Sequence, residues 1–262
     1  MPGRLPDVQN LPVGWPFQIL PFIEEGNVQL EPDWEKVKQM MFPFYFCPSR
    51  RGPTQCKKDT APGFMYGMMD YAAATPSKTS DDSAAAYEFW VGSAGPGGTD
   101  PPSSSPDFVR VTNRMFLGMV IRTQACSPIG FNDVKDGTSK TLLVSEKFLP
   151  LDNYDGEGPY YNGQVRTFEG DDRGWSDGWD FDIIRSTGIP PSKDYAKPPA
   201  DYNTSAMWRE CIMFGSAHTA GIQGVFGDGS VRMIGYEIDR DVFNKMGNRA
   251  DGQTYDASQW VN

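Results

Sequence analysis

Asp228-Gly229 stands between two β-prone runs, Gly221-Ile222-Gln223-Gly224-Val225-Phe226 and Ser230-Val231-Arg232-Met233-Ile234, and this constrains the fold more than any other feature of the chain. A tight link between antiparallel strands needs residues that accept positive φ, and Asp-Gly does so at little steric cost. The pattern predicts a hairpin closed by a type I′ turn. A further strand is expected at Thr141-Leu142-Leu143-Val144-Ser145, after the polar turn Asp136-Gly137-Thr138-Ser139.

Helical signals are short. Residues 14 to 30 carry an apolar run stopped by Gly26-Asn27. After Pro32-Asp33, Trp34, Val37 and Met41 recur at helical spacing, and Val242, Phe243 and Met246 do the same after Asp239. The proline-bounded aromatic segment Phe42 to Pro48 predicts an edge strand or extended segment. Gly, Pro and Ser dominate residues 93–106, which predicts a surface insertion loop, and residues 152–199 have no regular pattern. The expected fold is α+β: one domain over 1–262, with an antiparallel sheet, short N-terminal helices and long irregular loops near 93–106 and 152–199.

The charge of -10 narrows the partners. Without clustered cations to neutralise phosphates, nucleic acid is excluded. No apolar stretch approaches the ~18 residues of a membrane span. Met1-Pro2-Gly3-Arg4 has no signal-peptide character, so any export signal is expected upstream or removed. Cys47, Cys56, Cys126 and Cys211 form no C-x-x-C pair, which disfavours zinc-ribbon and thioredoxin chemistry and leaves disulfides as the better expectation. With 22 prolines, 28 glycines and 13% aromatics, the chain suits an extracellular β-containing domain.

His218, nine intervening residues and Asp228-Gly229 make an H-x9-DG motif. Three other blocks precede it in order: Gly14-Trp15 with Gln18-Ile19-Leu20-Pro21-Phe22-Ile23-Glu24, then Phe46-Cys47-Pro48-Ser49, then Asp136-Gly137-Thr138-Ser139-Lys140-Thr141 with Glu146. Together they resemble a large bacterial prepilin-like family, plentiful in planctomycetes and classed as domain of unknown function 1559. The resemblance implies a pilin-like head, a non-enzymatic structural or secretion role at the cell surface, pilin-like or surface-assembly partners, and a periplasmic or extracellular location. It also implies an apolar N-terminal helix, and the chain opens about where that helix would pass into the head. Lys140 stands where the family pattern has Asn.

His218 is the single histidine, so zinc schemes needing two are excluded. A Ser216-His218-Asp228 relay can be drawn, making a hydrolase one alternative beside a carbohydrate or surface-polymer binding module, but no G-x-S-x-G elbow supports it. The structural expectation is that the His218 ring bonds to the hairpin or to the Asp136-Gly137 turn, that Asp228 and Gly229 serve the turn, and that Glu146 pairs with Arg232 or ends a helix. A Cys47–Cys56 disulfide is expected, with Cys126 and Cys211 paired or free. Asp171, Asp172, Asp177, Asp180 and Asp182 lie in an acidic tract that can offer oxygens to calcium, against solvated loop charge as the plainer expectation. Trp175 and Trp179 beside these acids suggest a platform for surface polysaccharide, against core filling.

Overall fold

A computed structural model describes residues 13–57, 65–77, 116–121, 128–156, 160–161, 164–165, 168, 170–176, 178–195, 209–253 and 255–256. It holds short helices and an antiparallel-rich sheet, an α+β architecture. The chain groups into two compact units that alternate along it. The first comprises Met1–Ala72, Leu149–Ile184 and Asp194–Ala200; the second comprises Ala73–Phe148, Arg185–Lys193 and Asp201–Asn262. The expected 93–106 loop lies outside the described residues.

In the first unit, α1 (Trp15–Ile19) tightens into a 3-10 turn at Leu20–Ile23. Pro21 has no N–H to continue the α-helical ladder. The stop is Glu24, not the expected Gly26-Asn27: Glu24 is left-handed at φ 68, and the N–H groups of Glu24 and Glu25 both donate to Leu20 O. Gly26 instead begins a 3-10 segment, Gly26–Leu30. α2 (Trp34–Gln39) is capped by Asp33, whose carboxylate accepts from Glu35 N at 3.1 Å. Val37 is buried, while Met41 falls beyond the helix and is exposed.

The expected edge strand at Phe42 to Pro48 is a 3-10 turn at Pro43–Tyr45, and its aromatic rings enter a cluster. Trp175 sits at the centre of that cluster, stacked on Phe17 with centroids 6.2 Å apart and edge-on to Phe42 at 5.1 Å. Its Nε1 donates to Met40 O at 2.8 Å. Strands β1 (Gln55–Lys57) and β2 (Met65–Gly67) pair antiparallel beside it. The described residues of 171–195, within the supposed irregular insertion, are largely buried, Trp175, Phe181, Ile183, Ile184 and Ile189 among them. Its apolar residues lacked a readable period because turns separate them.

The largest sheet contains β3 (Tyr71–Thr75), β4 (Leu142–Glu146), β5 (Ile184–Ser186), β6 (Gly221–Phe226) and β7 (Val231–Gly235), in the order β7-β6-β4-β3-β5. Leu142, Ile222, Phe226 and Ile234 are buried on one face. A bulge leaves Leu143 without a partner between Val225↔Val144 and Phe226↔Leu142, so adjacent Leu143 and Val144 are both only half-buried. A final helix, α3 (Arg240–Met246), is capped by Asp239 and buries Val242, Phe243 and Met246, with Phe243 edge-on to Phe214 at 5.9 Å.

The expected hairpin is present, but its turn differs. Gly229 N donates to Phe226 O, and Phe226 N donates to Ser230 O. Gly229 is left-handed at φ 82, while Asp228 keeps a negative φ. The loop therefore has three residues, a type I turn closed by a left-handed glycine, not the two-residue I′ turn. No atom lies within 4 Å of where a Gly229 Cβ would stand, so backbone strain is the whole penalty of substitution. Gly229→Ala should cost about 1–2 kcal/mol and Gly229→Val more, with Gly229→Asn recovering most of the loss. Urea midpoints at constant slope measure this; a neutral Gly229→Val would contradict it.

Candidate functional site

The motif residues of the second unit gather around β4 and the hairpin. Glu146 ends β4 with a side chain 1% exposed; its Oε2 accepts from Gln223 N at 2.8 Å and its Oε1 lies 3.4 Å from His218 Nε2. The imidazole is 34% exposed. Its backbone is fixed by neighbours: His218 N donates to Ser216 Oγ at 3.1 Å, and the Tyr236 hydroxyl donates to His218 O at 2.6 Å and to Ser216 O at 3.1 Å.

The His218 ring meets Glu146, and Glu146 serves His218 and Gln223 in place of Arg232. Arg232 instead lies 3.5 Å from Asp228 and 4.6 Å over the Phe226 ring. The Ser216-His218-Asp228 relay is not assembled, because Asp228 stays in the exposed turn, accepting from Ser230 N at 2.9 Å and Ser230 Oγ at 2.6 Å. The Ser230 hydroxyl and N–H hold the Asp228 carboxyl below its ordinary range.

Asp136-Gly137 performs a similar positioning task. The Asp136 carboxylate accepts from Asp251 N at 2.8 Å and Gly252 N at 2.9 Å, while Asp136 N donates to Arg249 O at 3.2 Å. Gly137 takes φ 96, a left-handed turn position. Arg249 reaches back to the carbonyls of Phe116 and Gly118. Lys140 contributes its carbonyl, which accepts from the Tyr255 hydroxyl, so that contact does not depend on the residue type.

The first unit contains a charged cluster with no counterpart in the sequence expectations. Arg51 Nη1 and Nη2 donate to the two oxygens of Asp171 at 2.7 and 2.9 Å, and Arg51 Nε donates to Asp70 at 2.8 Å. Arg50 Nε donates to Asp194 at 2.8 Å, and its Nη1 is 3.8 Å from Asp70. Asn153 completes Asp171, while the Tyr154 hydroxyl and Leu149 N complete Asp194. Burial lifts the Asp194 carboxyl above the usual carboxylate range, despite Arg50. Burial opposes the Arg50 charge, but Asp194 and Asp70 more than offset it and hold the guanidinium above its ordinary value. The available sequence signal was an Arg pair directly after the Cys47-Pro48-Ser49 turn in an acidic chain.

Cys47 and Cys56 are not joined in a disulfide. Both are buried thiols, as is Cys211, and Cys126 lies outside the described residues. Cys47 N is fixed on Asp70 at 2.9 Å, its carbonyl accepts from Arg50 and Arg51 N–H, and Cys56 is committed to β1 opposite Tyr66. Buried ion pairs therefore hold the segment that a disulfide was expected to close. Denaturation without reductant, followed by alkylation and peptide mapping, should label Cys47 and Cys56. Recovery of a linked 47–56 peptide would refute the thiol assignment.

Of the five carboxylates proposed for calcium, Asp171 is taken by Arg51 and Asn153, and Asp177 lies outside the described residues. Asp172, Asp180 and Asp182 do converge, each offering an oxygen within 4.8 Å of the others. Asp182 already accepts from Gly174 N at 2.9 Å and, more weakly, from Arg173 N and Asp172 N at 3.3 and 3.4 Å. Calcium takes about 6–8 oxygens, so one oxygen from each of three side chains leaves half or more of a shell to other donors. Trp175 is buried and so provides no sugar platform, whereas Trp179 is half-buried.

A sequence family described as "Protein of unknown function (DUF1559)" matches residues 2–241. No curated protein and no solved structure matches the chain.

Proposed function

The chain belongs to the DUF1559 family of proteins of unknown function, and on that premise we propose that it is a non-enzymatic, pilin-like or pseudopilin-like structural or assembly subunit of a bacterial cell surface or secretion apparatus. It would work in the periplasm or outside the cell, beside other pilin-like subunits or surface-assembly proteins. One observation supports this above the others: the carboxylates of the motif blocks hold the protein's own backbone. Asp136 positions the 251–252 turn, Glu146 accepts from Gln223 N, and Asp228 accepts from Ser230 N. Among the described residues, no helix is long and apolar enough to cross a membrane.

Cell fractionation followed by cross-linking tests the assignment. The native protein should sit in the envelope or outside the cell and cross-link to surface subunits. Confinement to the cytosol with no such adducts would remove it.

Hydrolysis is the second reading, favoured by the partly exposed His218 ring against the buried Glu146 carboxylate, a pair able to move a proton. An ester, peptide and glycoside panel separates the two. Robust turnover that disappears in a folded His218→Ala protein would overturn the non-enzymatic proposal.

A further inference from the structure

Between the 3-10 segments Gly26–Leu30 and Pro43–Tyr45, the first unit opens a groove of about 670 Å³. Val28 and Phe42 are its buried apolar residues. Leu30 and Met41 also line it, yet remain 61% and 41% exposed. Glu25 and Glu31 supply its charge, and among the described residues none that lines it is cationic. Large apolar side chains left in water beside a shaped depression, rimmed by polar groups, are the physical signature of a docking surface.

We propose that this groove docks a protein segment in which Lys or Arg side chains flank aliphatic or aromatic ones. The apolar side chains of such a segment would cover Leu30 and Met41. Its cations would meet Glu25 and Glu31, whose carboxylates lose water as the groove closes and need charge-assisted partners in exchange. Charge complementarity selects this occupant over the alternatives. A second copy would bring the same glutamates and a net charge of -10, and an anionic lipid surface would be repelled by the same rim. The inference does not rest on the assembly proposal, because it specifies only the chemistry of the docked segment.

Calorimetric titration with a synthetic amphipathic Lys-Leu peptide, and with its Glu-Leu counterpart, provides the test. The Lys-Leu peptide should bind and weaken as salt is raised, while the Glu-Leu peptide should not bind. A cationic peptide can also adhere to any acidic protein, so the deciding variants are Leu30→Ser and Met41→Ser, which leave the charge unchanged. Each should weaken binding about tenfold or more, the worth of covering one large apolar side chain. Both positions are exposed, so the variants should fold. Glu25→Lys with Glu31→Lys should reverse the preference toward the Glu-Leu peptide. Asp241→Asn, remote in sequence on α3, should change affinity by less than about twofold if only local charge matters.

Four outcomes would each overturn the proposal. These are unaltered affinity in Leu30→Ser, equal binding of both peptides, no binding of the Lys-Leu peptide, or self-association of the free chain that Leu30→Ser abolishes.

Discussion

Arg51→Met should remove about 3–5 kcal/mol of stability, because it leaves Asp70 and Asp171 buried without the cation that joins them. That is a large share of the ~5–15 kcal/mol that holds a typical domain together, so the variant is expected to be mostly unfolded well below the wild-type urea midpoint. Most of the loss should come from the orphaned charge. Adding Asp171→Asn to Arg51→Met should therefore restore part of the stability, where independent contacts would instead lose more. Arg51→Lys should fall between, since an ammonium cannot reproduce the two-pronged contact with Asp171. An Arg51→Met protein within about 0.5 kcal/mol of wild type would show that the cluster contributes little.

Gly67→Ala should be comparably damaging for a different reason. A Cβ at Gly67 would stand 1.9 Å from Met40 O, the oxygen that accepts from Trp175 Nε1. Neither atom can move freely: Met40 O is backbone, and Trp175 is fully buried and packed on Phe17, Phe42 and Tyr45. Relief requires shifting β2, breaking the indole hydrogen bond, or both, at about 3 kcal/mol or more. Trp175 fluorescence should report a disturbed environment even where the variant still folds. Gly52→Ala is the control, with nothing within 4 Å of its Cβ position, and should stay within about 0.5 kcal/mol of wild type. Equal midpoints for Gly67→Ala and Gly52→Ala would contradict the close approach.

The parts of the fold that were legible in the sequence rest on local chemistry. Alternating apolar residues around Asp228-Gly229 produced a hairpin, Asp239 followed by Val242, Phe243 and Met246 produced a capped helix, and the run after Asp136-Gly137 produced β4. The failures came where distant residues decide the outcome. Phe42 to Pro48 has the composition of a strand, but Trp175, more than a hundred residues away, draws its rings into a core. Cys47 and Cys56 are close in sequence, and nothing local reveals that Asp70 and Asp171 already restrain that segment. For the site, the motif residues were identifiable, but the pairing of Glu146 with His218 depends on how β4 registers against β6.

The alternation of the two units along the chain has a consequence during synthesis. Arg51 waits for Asp171, 120 residues later, and Arg50 for Asp194, 144 residues later. At about 5–20 residues per second, roughly 6–30 s pass between translation of these arginines and arrival of their carboxylates. For most of that interval the two arginines have Asp70 as the one carboxylate of the cluster already made, and the rings meant to surround Trp175 stand in water. The first unit therefore cannot close its charged cluster until the chain through residue 194 has emerged.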